Sequence, residues 1–170
     1  MAEPIKTAQY LFSSIDVMMD ITLLNLNDIK YAIQLWQYSD KEPVRRFGIV
    51  IGETNKDKSL CSKIDAFYYL TEKAATTDYN KFLSVWVPNP TLKPIKLDNG
   101  KALKEKLLEI GKESYLALFV KFEGEITRGY SIIIKKDGVI PSDRLYYLTL
   151  DACVSDWVKL QELWKPFTYI

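Results

Sequence analysis

Histidine is absent from the chain. Ser-His-Asp and Cys-His nucleophilic sites, His-based zinc sites and two-His-one-carboxylate iron sites are excluded with it. Lys, Tyr, Asp and Glu chemistry and carboxylate binding of magnesium stay open. Cysteine is nearly absent: Cys61 and Cys153 stand alone and far apart, without zinc-pair spacing, and read as small buried hydrophobes of a reducing compartment. An excess of either charge is missing too. The 23 basic and 22 acidic side chains leave a net charge of +1, so no global field gathers a phosphate backbone or an anionic membrane. Only four of the basic residues are Arg (Arg45, Arg46, Arg128 and Arg144), and the remaining Lys reads as solvated face. No apolar run has the length of a membrane span, and MAEPIKTAQYLF lacks the pattern of a secretory leader, so the cytoplasm is the expected location. The seven glycines form no phosphate-cradling loop, and no motif calls for a metal or a cofactor.

Aromatic residues, by contrast, are abundant: 11 Tyr, 7 Phe and 4 Trp in 170 residues that are 48% hydrophobic. This composition fits one globular domain over residues 1–170, large enough to bury a core without disulfides or metals. Apolar residues at three- and four-residue steps predict an amphipathic helix over roughly 4–20. KYAIQLWQYS and VRRFGIVIG predict an antiparallel pair over 30–38 and 44–51. A second helix is expected from Ser59 to about Ala75, a short strand at 82–87 and a third helix from Asp98 to a left-handed cap at Gly111. Three prolines in the stretch near 88–98 predict a stiff surface loop. ESYLALFVKF and ITRGYSIIIKK form a second hairpin, RLYYLTL one more strand, and Val154, Trp157, Leu160 and Trp164 the buried stripe of a last helix ending at Pro166. Beyond it, Phe167, Tyr169 and Ile170 alternate as a terminal strand or apolar tuck would. No internal repeat stands out.

These elements describe an α+β fold: a mainly antiparallel sheet of five or six strands built from two hairpins, with N-terminal, central and C-terminal helices packed mainly on one face. Asp16 with Asp20, and Glu123 with Glu125, are spaced as paired carboxylates but read as solvated faces. Arg46, Arg128 and Tyr130 interleave charge and ring as single-stranded nucleic-acid surfaces do, provided the two hairpins share a sheet. Lysines and arginines on a strand also protect a sheet edge, which disfavours nucleic acid as the partner. Alternation places Trp36 and Tyr38 on the strand face opposite Tyr31, Ile33 and Leu35, so both faces carry bulk. The resulting expectation is a non-catalytic protein-binding module, of the adaptor, chaperone or inhibitor kind and including immunity-type proteins, that uses this aromatic sheet face. Its alternative is a nucleic-acid binder or a His-independent enzyme acting through Arg46, Arg128 and nearby acids. Self-association into a homo-oligomer is a third arrangement compatible with the sequence.

Overall fold

The computed structural model describes residues 16–39, 46–54, 60–88, 100–125, 127–136 and 140–166. Among the described residues, eight strands fall into two four-stranded antiparallel meanders. The first runs β1 (Val17–Leu26), β2 (Ile29–Gln37), β3 (Phe47–Thr54) and β4 (Leu60–Tyr69); the second runs β5 (Gly100–Ile110), β6 (Glu113–Phe122), β7 (Tyr130–Lys136) and β8 (Ile140–Tyr147). Each meander feeds a helix, α1 (Glu72–Val85) after the first and α2 (Leu150–Trp157) after the second, with a short α3 (Leu160–Leu163) closing the description. The fold is α+β as expected, but the single sheet of five or six strands is corrected to two sheets of four. No helix among the described residues is long and apolar enough to cross a membrane.

Three expected helices give way to strands. Residues 17–26 form β1, whose partner is set by the two-residue turn Asn27-Asp28, where both residues take positive φ (53° and 65°) as a tight hairpin demands. Residues 60–69 form β4, and the helix begins only at Glu72, after Thr71 as N-cap; it continues through the stretch expected as a strand near 82. Residues 100–110 form β5, and Gly111 has the foreseen left-handed φ (63°), but as a hairpin turn instead of a helix cap. The remainder of the N-terminal helix prediction, most of the proline stretch (89–99) and the PFTYI segment from Phe167 lie outside the described residues.

The halves are copies of one plan, which corrects the absence of a repeat. DAFYYLTEKAATTDYNKFLSVW (65–86) and DRLYYLTLDACVSDWVKLQELW (143–164) share Asp, Tyr-Tyr-Leu-Thr, Ala, Asp, Lys and Trp at the same spacing. The strands agree as well. Both first hairpins are two-residue turns with positive φ, at Asn27-Asp28 and at Gly111. Both edge strands carry a bulge in the same place, between Met18 and Asp20 and between Ala102 and Lys104. Tyr31 meets Trp86 edge-on at 5.3 Å, and Tyr115 meets Trp164 edge-on at 5.0 Å.

A single apolar core runs through both halves. Tyr31, Ile33, Leu35, Ile49, Ile51 and Phe67 line the helix side of the first sheet against Ala75, Tyr79 and Phe82 of α1; Tyr115, Ala117, Phe119, Ile132 and Ile134 do the same for the second against Ala152, Trp157 and Leu160. Each helix packs on its own sheet and on the other helix, so burying both apolar stripes takes both halves.

Candidate functional site

Two constellations stand out, one between the halves and one on the outer face of the first sheet. At the centre, Asp156 of α2 reaches across to the start of α1: its carboxylate accepts hydrogen bonds from the Leu70 amide (2.8 Å), the Thr71 amide (3.0 Å), the Thr71 hydroxyl (2.7 Å) and the Tyr147 hydroxyl (2.6 Å). Asp78 of α1 answers with the Leu148 amide (2.8 Å), the Thr149 amide (3.0 Å), the Thr149 hydroxyl (2.7 Å) and the Tyr69 hydroxyl (2.7 Å). Both aspartates are fully buried. Each threonine then accepts a hydrogen bond at its hydroxyl oxygen from the amide three residues on, Ala74 or Ala152, both at 3.1 Å. A carboxylate at a helix start satisfies amides that the helix leaves unpaired and complements its dipole.

Burial pushes both carboxyls up, Asp156 to about 6, against the lowering effect of their donors. Burial likewise drives the Tyr69 and Tyr147 hydroxyls well above the usual phenol range, with Asp78 and Asp156 next to them adding to it. The two rings meet edge-on at 5.6 Å. With four donors on each carboxylate this arrangement is structural: it ties the halves together.

A second tie is the Asp65 carboxylate of β4, which pairs with the Arg128 guanidinium from the β6–β7 connection through both terminal nitrogens. The same guanidinium lies over the Phe67 ring at 4.4 Å from its centroid. Arg128 is therefore committed within the molecule, its charge matched and its flat face stacked.

On the side of the first sheet away from α1, strand register lines up Met18, Trp36, Gly48 and Tyr68 in one row across all four strands. The next row is Ile21, Gln34, Val50 and Ala66, and the third begins with Leu23 and Ala32. Gly48 is needed here. A Cβ on it would stand 2.5 Å from Cε2 of Tyr38, whose ring occupies that space and meets Tyr68 with centroids 6.0 Å apart. Trp36 donates its indole N–H to the Gln34 side-chain oxygen at 2.9 Å. Burial, with Tyr68 and Asp16 nearby, pushes the Tyr38 hydroxyl far up.

Exposure is uneven across this face. Ala32 and Gln34 are buried, Trp36, Tyr38 and Tyr68 are half-buried, and openness is concentrated at the β1 margin. On this face Met18 and Leu23 are 39% and 44% exposed; Val17 and Ile29, paired with Gln37 and Leu26, are exposed at the two ends of the hairpin on the other face.

The residues singled out from the sequence thus separate. Trp36 and Tyr38 share the outer face of the first sheet, as alternation required. Arg46 lies where β3 begins, its carbonyl accepting the Tyr38 amide at 2.7 Å. Tyr130 belongs to the second sheet, on its helix side, edge-on to Phe119. The condition for a joint Arg46, Arg128 and Tyr130 surface was a shared sheet, and the hairpins belong to different ones. Asp16 accepts the Ser39 amide and Asp20 the Ile21 amide, so each serves local backbone. Asp78, Asp156 and the Asp65–Arg128 pair are not among the residues the sequence singles out; the repeated Tyr-Tyr-Leu-Thr with an Asp seven residues after each Thr is the signal that marks the two aspartates.

The chain matches no family model, and no curated protein matches it.

Proposed function

We propose that this chain is a non-catalytic protein-binding module of the adaptor, chaperone or inhibitor kind, an immunity-type protein included, working in the cytoplasm. Its partner docks along the β1 margin and the adjoining aromatic row of the first sheet. The supporting observation is the apolar run Met18, Ile21 and Leu23 along the outer face of β1, with Met18 and Leu23 exposed and Met18 directly opposite Trp36 in the register. Contiguous apolar surface is costly to leave in water, and aromatic anchors beside adaptable methionines suit a recognition surface. Nucleic-acid binding through Arg46 and Arg128 has less support, because the Arg128 charge is matched by Asp65.

The test uses the partner captured from native cells and then purified. Leu23→Lys and Met18→Lys are expected to weaken its binding at least tenfold with the melting temperature unchanged. Leu107→Lys, at the corresponding place on β5, serves as the control and keeps full affinity. Equal binding by all three variants rejects the assignment.

A further inference from the structure

We infer that the surface between the two halves is a subunit interface, and that a second copy of this chain can supply the missing half, giving a domain-exchanged dimer. Reciprocity carries the argument. Each buried carboxylate sits in one half and finds its backbone donors in the other: Asp156 on Leu70 and Thr71, Asp78 on Leu148 and Thr149. The Asp65–Arg128 pair and the Tyr69–Tyr147 ring contact also cross between halves. All of these contacts can be remade, atom for atom, when the first half of one copy meets the second half of another. Such an exchange creates no new surface and leaves none of the old one open.

The halves are covalently joined only through residues 87–99, and three of these, Pro88, Pro90 and Pro94, are proline. Which form prevails is then a matter of mass action. A tether keeps the two halves of one chain at an effective concentration on the order of millimolar. Dilute chains close on themselves, and chains that close while concentrated beyond that level pair with a neighbour. The interface fits a partner of one chemistry, another copy of the same β-meander and helix with its Thr-capped first turn. The exchanged dimer carries the β1 margin twice, so any ligand of that margin meets two sites.

The experiment has two arms on the full-length chain. In the first, the protein is unfolded and refolded at about 10 µM and at about 5 mM, below and above the millimolar crossover set by the tether. Light scattering is expected to show monomer in the dilute sample and a population of doubled mass in the concentrated one. That dimer persists on dilution and reverts only through unfolding. A monomer at both concentrations, or a dimer that dissociates on simple dilution, overturns the inference.

The second arm mixes two variants, Asp65→Lys and Arg128→Glu. Alone, each sets like charges face to face inside its own chain. Exchange between them sets a reversed ion pair in one interface and the native pair in the other. Co-refolding is expected to yield a mixed dimer that melts several degrees above either variant, an outcome that also holds if neither variant folds alone. A mixture that melts as its two components do overturns the inference, because association through any other surface would leave both mismatches in place.

Discussion

Asp78 and Asp156 each belong to one helix and hold the N-cap threonine of the other. The two sets of amide and threonine distances are identical, 2.8, 3.0 and 2.7 Å on either side. The halves have diverged elsewhere: Tyr79 corresponds to Trp157, and Thr22, which bonds the Tyr79 hydroxyl, corresponds to Lys106, whose ammonium donates to the Trp157 carbonyl. Peripheral contacts have been rewritten while this central pair has kept one geometry.

Replacing either aspartate by Asn is expected to destabilise the protein by roughly 2–4 kcal/mol, because an amide turns one acceptor into a donor facing buried N–H and O–H groups. Since both carboxylates hold the same interface, Asp78→Asn with Asp156→Asn is expected to cost less than the sum of the two. Urea unfolding measures all three. A loss below about 0.5 kcal/mol for either single variant, the range of ordinary surface changes, would remove the aspartates from the centre of the fold's stability.

Stability is expected to rise on mild acidification. Burial lifts the Asp156 carboxyl from its ordinary value of 3.8 to about 6 in the folded protein, and Asp78 moves the same way. Between those values the folded state binds the proton more tightly than the unfolded one. The contribution is therefore fully present below the unfolded-state value and is lost as pH climbs through about 6. From pH 7 to pH 5 Asp156 alone adds roughly 1 kcal/mol. Thermal melts across that window check the sign, and Asp156→Asn should flatten the slope. A melting temperature that falls steadily over the same interval would contradict the assignment.

Gly48→Ala separates shape from stability on the outer face. The added methyl would meet the far end of the Tyr38 ring, at 2.5 Å from Cε2 and 2.7 Å from Oη, and a half-buried ring at the end of its side chain can swing aside. Stability is expected to drop by no more than about 1 kcal/mol, a partial loss of buried ring area. The Tyr38 hydroxyl, moved toward water, is expected to titrate closer to an ordinary phenol, which ultraviolet absorbance against pH reads directly. An unchanged titration curve would mean that the ring does not depend on the glycine.

The elements legible in the sequence were those whose two faces differ. β2, β3, β6 and β7 are interior strands rich in β-branched and aromatic residues, and their hairpins were assigned. β5 was misread because an edge strand has a whole margin in water, and KALKEKLLEI fills it with strong helix formers whose intrinsic preference is outweighed by pairing with β6. β4 was misread because Leu60, Ile64, Phe67 and Tyr68 fall at helical spacing by coincidence with the alternation of Asp65, Phe67 and Tyr69 on the core side. The repeat is faint in the sequence because identity is concentrated between Asp65 and Trp86 and between Asp143 and Trp164, while the preceding strands differ in sequence and in loop length. Trp36 and Tyr38 were placed on the correct face by alternation alone. Met18 falls inside the helix expected over roughly 4–20 and Leu23 just beyond it, and both belong to β1.

Crossed carboxylates have a consequence for how the native state opens. The amides of Leu70, Thr71, Leu148 and Thr149, at the entrances to the two helices, are held by side chains anchored in the opposite half, so freeing any of them breaks a contact between the halves. These four protons should exchange with deuterated solvent at one shared rate, set by the rarest opening of the molecule, although helix ends ordinarily fray first.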